Sequence, residues 1–151
     1  MKRIYARVVL GALRPGRPKE LPERELRLDG VTVDRAHLAG YDRVCGFRLS
    51  DALPATYPHV LAFPLAMALM TAADFPFPLL GLVHVANRIE VRRPLLAADV
   101  LSLSVRAESL RSGAQLDVFE SLDLRCATEV GEHQRLQVVL DEVLHVVPRR
   151  R

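Results

Sequence analysis

Imidazole and carboxylate side chains are the groups that most readily move protons near neutral pH, and in this chain they stand out at a few places. His37 lies three positions after Asp34, His59 stands immediately before a long apolar run, and Asn87 interrupts the apolar set of an alternating stretch that also holds His84. Other chemistries are poorly provided for. Ser102, Ser104 and Ser121 lie in alternating segments, without the Gly-x-Ser-x-Gly turn that exposes a nucleophilic serine. No glycine-rich phosphate loop occurs. The two cysteines, Cys45 and Cys126, are far apart and in no Cys/His ligand spacing, so they read as buried free thiols of a reducing compartment and suggest no metal. Each candidate also has a plain structural reading. Asp34 is a good helix N-cap, His37 a residue of a helix surface or interface, and His84 a residue of the polar face of a strand. Asn87 either pairs within the core or faces a tunnel.

The elements that must position these side chains follow from the pattern of apolar residues. Glu25–Val33 reads as a strand broken by the turn or bulge signal Asp29-Gly30, after a possible strand at Ile4–Gly11 and a proline-rich loop at Arg14–Glu23. Asp34 then caps a helix running to about Cys45, with Gly46 as its stop and His37, Tyr41, Val44 and Cys45 on one face. Arg48–Pro58 is a connector. The 14 residues Val60–Ala73 carry no charge. Asp74, Pro76 and Pro78 end that run before it reaches the roughly 20 residues of a membrane span. It therefore predicts a buried helix, enclosed on all sides, with Pro64 in its first turn. Beyond it the period changes to two. Val83, Val85, Asn87, Ile89 and Val91 form one face, Leu101, Leu103, Val105 and Ala107 another, followed by Leu116–Cys126 and by Leu136–Val147 with an irregularity near Asp141. Ser112-Gly113 and Gly131-Glu132 mark hairpin turns.

Successive strands with one polar face each mean an antiparallel sheet, and the absence of strand–helix alternation argues against a doubly wound fold. The expectation is an α+β chain, one domain over residues 1–151, with a curved antiparallel sheet of five to six strands around one central helix. The net charge of +3 comes largely from basic residues at the two ends. Neither a concentrated basic face nor stacking aromatics accompany them, so no nucleic-acid partner is expected. The basic start has too short an apolar stretch for a signal peptide, which points to the cytoplasm.

At this point a family resemblance enters. An apolar helix followed by GLVHVANRIEVRRPLLAADVLSLSV is similar to the hot-dog family of MaoC-like acyl-thioester hydratases and dehydratases. Arg93–Leu101 resembles the family's strand, proline, short loop and Gly-Asp pair, with Ala98 at the glycine. His37-Leu38 through Cys45-Gly46-Phe47 resembles the helix that begins at the catalytic histidine and ends in Gly-Phe. Pro58-His59-Val60-Leu61 resembles the Ala-His-Gly-Met that opens the central helix. The phrase TYPHVLAFPLAMALM further resembles the amino-terminal half of two-domain members, the half that shapes the acyl tunnel.

The resemblance implies addition of water to, or its removal from, a 2-enoyl thioester of coenzyme A or acyl carrier protein, with no cofactor. It implies Asp34 and His37 as the catalytic pair, and Tyr57, His59, Val60, Leu61 and Asn87 as the substrate-binding set. It also implies a homodimer, or a heterodimer with another hot-dog chain. The sequence departs from the family motif at two places. Thr32 stands where the family has its Asp, with Asp34 two residues nearer His37, and Val60 replaces the glycine. Two further readings stay open: a non-catalytic subunit that binds the acyl chain and pairs with a catalytic half, and a hot-dog thioesterase using Glu90 or Asp74.

Overall fold

A computed structural model describes residues 20–79, 82–112, 117–130 and 133–146, with side chains described over 20–79, 82–108 and 125–128. The expectations for Ile4–Gly11, for Arg14–Lys19, for the basic ends, and for the turns at Gly113 and Gly131-Glu132 lie outside those residues. So does the side-chain alternation expected over Leu116–Leu124 and Leu136–Val147.

The described elements are β1 (Leu26–Thr32), α1 (Arg35–Cys45), α2 (Tyr57–Met70), β2 (Leu82–Val91), β3 (Val100–Ser112), β4 (Asp117–Val130) and β5 (His133–Val146). The strands form one five-stranded sheet in the order β1-β3-β4-β5-β2, and every neighbouring pair is antiparallel. The central helix α2 packs against β3, β4 and β1. This is the hot-dog arrangement. Among the described residues, no helix is long and apolar enough to cross a membrane.

Local chemistry sets the ends of α1. Asp34 is its N-cap and Gly46, at φ 75°, its left-handed C-terminal residue. Val33 and Leu38, on either side of the cap, are both buried in the main core, the arrangement of a hydrophobic staple. The buried stripe of α1 is Leu38 and Asp42. The face expected to hold Val44 and Cys45 is correct only at its start: Tyr41 packs on the core, whereas Val44 is 86% exposed and Cys45 is exposed. A polar Asp42 on the buried stripe hides that stripe from any count of apolar residues.

The central helix starts three residues earlier than the apolar run suggests, at Tyr57, with Thr56 as its cap. Pro58 occupies the first turn and Pro64 falls inside the helix. A proline in that interior position deprives the Val60 carbonyl of its usual i+4 amide. Pro58, Ala62, Ala66, Leu69 and Met70 face inward and are buried. The small Ala62 and Ala66 lie on this inward face, and Leu101, Leu103 and Val105 on β3 are fully buried. Each such leucine contributes about 1.5–3 kcal/mol. The opposite side of α2 is open: Phe63 is 50% exposed, and Pro64 and Ala68 are exposed. Enclosure on all sides is therefore corrected, because among the described residues the sheet, chiefly β1, β3 and β4, covers only one side of an apolar cylinder.

In β2 the expected face is also corrected. The register slips between His84 and Ala86, so Val85 is an extra residue. One extra residue reverses which side chains point inward. Leu82 before the slip and Ile89 after it consequently both pack on the core, whereas Val83 and Val85 are about half exposed. The irregularity expected near Asp141 is present beside it: Asp141 itself pairs with Arg88 and Asp123, and the register slips on either side, at Glu142–Leu144 and between Leu136 and Val138. Asp29-Gly30 is a bulge, as expected, with the register shifting between Leu28 and Val31 and Gly30 at φ 69°.

Candidate active site

The site grows from the junction of two helix starts. Asp34 Oδ1 accepts hydrogen bonds from the Ala36 amide at 2.8 Å and the His37 amide at 3.2 Å. This closes the first turn of α1 and fixes the backbone of His37. The His37 imidazole reaches the first residue of α2, where its Nδ1 lies 2.8 Å from the Tyr57 hydroxyl. The two rings are tilted at 47°, with centroids 5.8 Å apart. Tyr57 is fully buried.

A second contact locks the same junction. One turn after His37, the Tyr41 hydroxyl meets Thr56 Oγ1 at 2.6 Å, and its ring lies 5.3 Å from that of Tyr57. Phe47, just beyond the end of α1, stacks on Tyr41 at 6.1 Å. The connector is held as well. The Tyr57 amide donates to the Pro54 carbonyl, the Leu53 amide to the Leu95 carbonyl and the Ala97 amide to the Asp51 carbonyl. Asp99 accepts from the Leu96 amide at 2.9 Å and closes the loop before β3.

The electrostatics of the junction are negative. Burial pushes the Tyr57 phenol above its ordinary value of 10.0, and the nearby charges of Asp34 and Asp42 push it further the same way. Asp42 is 1% exposed, and its Oδ1 has no hydrogen-bond partner among the described residues. Such a buried carboxylate is costly without a compensating contact. Neither Asp42 nor the hydrogen-bonding role of Tyr57 is visible in the pattern of apolar residues. Tyr41 is signalled by its i+4 spacing from His37.

The predicted site residues therefore separate. Asp34, His37 and Tyr57 come together. His59, Val60 and Leu61 follow Tyr57 directly in the start of α2. The His59 ring sits edge-on to Phe63 at 6.2 Å, and Leu61 packs against the core. Because the helix begins at Tyr57, the Val60 amide already points to the Thr56 carbonyl. The Tyr57 amide is bonded to Pro54, and Pro58 has no amide hydrogen. Asn87 is exposed on β2, on the same inward face as Ile89. Among the described residues no hydrogen bond, ion pair or ring contact ties it to the His37 cluster. His84 is exposed and donates from Nε2 to the Ala86 carbonyl. Asp74 is paired with Arg24, and Glu90 with Arg92, both away from this junction. Among the described residues, no group of three or more His, Cys, Asp or Glu side chains is placed to hold a metal.

An antiparallel five-stranded sheet with one central helix, and a histidine helix docked on that helix's first turn, defines the chain as a hot-dog protein. No family model matches the chain. It is, however, 36% identical over 121 residues to the 3-hydroxyacyl-thioester dehydratase X of Mycobacterium tuberculosis; the match spans 78% of this chain and 42% of that protein. The crystal structure of HtdX from the same organism superposes with a TM-score of 0.68 at 32% identity, covering 81% of this chain and 50% of that one. The truncated HadBC (3R)-hydroxyacyl-ACP dehydratase complex of M. tuberculosis matches with a TM-score of 0.64 at 17% identity, over 84% of this chain and 98% of that one; at that identity it speaks for the fold alone. The chain shares the hot-dog fold of these dehydratases and resembles the 3-hydroxyacyl-thioester dehydratase X in sequence over most of its own length. It spans about half the length of the HtdX relatives it matches.

Proposed function

We propose that this chain acts as a MaoC-like (R)-specific enoyl-thioester hydratase and 3-hydroxyacyl-thioester dehydratase, on substrates carried by coenzyme A or acyl carrier protein. In this reading it is one hot-dog domain, works in the cytoplasm, and pairs with a second hot-dog chain. One observation carries the reading. His37, in the first turn of α1, is tied by a 2.8 Å hydrogen bond to Tyr57, in the first turn of α2.

Dehydration removes a proton from C2 and a hydroxyl from C3, and hydration reverses both steps. Asp34 and His37 carry out these steps together. Asp34 Oδ1 is engaged by two backbone amides, so Oδ2 is the carboxylate atom that carries the proton. The positive end of α2 favours the negative charge that develops on the thioester oxygen. The test is turnover of crotonyl and longer enoyl thioesters by the purified chain, with loss of activity in His37→Ala. Absence of turnover at every chain length removes this reading.

A second reading is a non-catalytic subunit that binds the acyl chain and complements a catalytic half. The start of α2 favours it, because the Tyr57 amide is already bonded and Pro58 has none to offer a thioester oxygen. Turnover that appears only when a MaoC-like partner chain is added supports this alternative.

A further inference from the structure

The junction holds a buried phenol whose proton has one described destination. Tyr57 is fully buried, and its hydroxyl has one hydrogen-bond partner among the described residues, His37 Nδ1 at 2.8 Å. A buried hydroxyl donates its proton or pays a desolvation penalty. Two arrangements of the pair are conceivable. If Nδ1 carried a proton, that N–H would donate to the phenol oxygen, and the phenol proton would be left inside the fold without a described acceptor. If Nδ1 is bare, the phenol donates to it and both groups are satisfied. Ionising the phenol is the remaining escape, and burial with the Asp34 and Asp42 charges opposes it.

We infer that Tyr57 is a positioning residue that donates its hydroxyl proton to His37 Nδ1, holding the imidazole in the neutral tautomer with its proton on Nε2. His37 then presents an N–H as hydrogen-bond donor through the nitrogen that Tyr57 does not touch. In the dehydration direction that N–H holds the departing C3 hydroxyl and keeps its proton, while Asp34 Oδ2 takes the proton from C2 and passes it to the hydroxyl oxygen, which leaves as water with the electron pair of the C3–O bond. The electron pair of the C2–H bond becomes the double bond. This assignment of roles rests on the proposed function; the tautomer does not. The Tyr41–Thr56 bond and the Tyr41–Tyr57 ring contact hold the phenol where this geometry needs it.

The groups that face the pair are known on both elements packed there. Asp34, Tyr41 and Asp42 come from α1 and its cap, and Thr56 from the start of α2. The test is nitrogen-15 NMR of the full chain, at a pH where His37 is neutral. The expected spectrum has a bare, pyridine-type Nδ1 and a protonated, pyrrole-type Nε2. It also has a slowly exchanging Tyr57 hydroxyl proton correlated to Nδ1. In Tyr57→Phe, which keeps the ring against Tyr41, that proton vanishes and the Nδ1-protonated form appears beside the other. Tyr41→Phe removes a strut without touching His37 and keeps the wild-type pattern at His37. A pyrrole-type Nδ1 in the wild type overturns the inference, as does a His37 spectrum unchanged in Tyr57→Phe. The wild-type spectrum decides even where a variant fails to fold. In an active chain, Tyr57→Phe lowers kcat by about tenfold, the worth of one such hydrogen bond, and leaves KM within about twofold. Absence of turnover in every variant defeats the proposed function and leaves the spectroscopic test of the tautomer standing.

Discussion

Under the proposed function Asp34 would carry two roles, cap and proton carrier, that a pair of substitutions can separate. As an N-cap it accepts from the Ala36 and His37 amides at 2.8 and 3.2 Å. Asp34→Ala removes both bonds and costs about 1 kcal/mol. For a chain of 151 residues that lowers Tm by about 3 °C. Asp34→Asn keeps an oxygen where Oδ1 sits and loses only the charge at the helix start. That charge contributes about 0.3–1 kcal/mol and, being exposed, falls at the low end. The Asn variant therefore melts about 1 °C below the wild type. Catalysis reverses the comparison. An amide cannot carry the C2 proton, so Asn loses turnover by about 10²–10⁴-fold, as far as Ala does. Thermal unfolding by circular dichroism and enoyl-thioester hydration on the same samples give both readouts. Full turnover in Asp34→Asn would show that Asp34 is a cap and nothing more. An unchanged Tm in Asp34→Ala would refute the capping argument.

Four other outcomes follow from the packing. Cys45 is exposed and Cys126 fully buried, so a thiol reagent modifies Cys45 in the folded chain and reaches Cys126 only after unfolding. Burial, aided by the charge of Asp99, pushes the Cys126 thiol from 9.0 up to about 12. The unfolded chain ionises first, so this contribution to stability is intact below pH 9.0 and is lost as the pH rises toward about 12. Its limit is about 4 kcal/mol, read as the difference in urea midpoint between wild type and Cys126→Ala across that window. At Gly46, a Cβ would meet nothing within 4 Å, yet φ is 75°. Gly46→Ala therefore costs about 1 kcal/mol of pure conformational strain, visible as a small Tm decrease without change in the fold. Leu103→Ala opens a cavity at a fully buried position and costs about 2–5 kcal/mol, measured by denaturant unfolding.

What was legible in the sequence divides by range. Asp34 and Gly46 define α1 because capping is local chemistry, written in single residues. The inward set Leu101, Leu103 and Val105 was legible because the described pairing of β3 with β4 runs without a slip. In β2 the same rule misassigned the face at Leu82 and Val83, since the extra Val85 changes no residue type, only the phase. The start of α2 was misplaced because an apolar run marks what is buried, not where hydrogen bonding begins. The preference of proline for a first turn was sound but belonged to Pro58, not Pro64. The site was least legible. His37 and Tyr57 are 20 positions apart and on different helices, and no spacing rule joins them. Family likeness had placed both segments at one site; only the fold revealed the hydroxyl between them.

The two irregular strands have a consequence for how the protein behaves in a crowded solution. Among the described residues the sheet ends at β1 and β2, and each of these outer strands carries a bulge, one at Asp29-Gly30 and one at Val85. A long straight edge is a template on which any extended chain can add, and bulges blunt it. At Gly30 the kink is enforced by a left-handed backbone, with the Arg27–Asp29 ion pair across it. At β2 the His84 ring occupies the Ala86 carbonyl, which is then closed to a passing strand. Each rim is thus divided into shorter runs than its full strand length. A partner of defined shape can still seat on one of them. The same few misaligned residues therefore shape both what each edge turns away and what it can still receive.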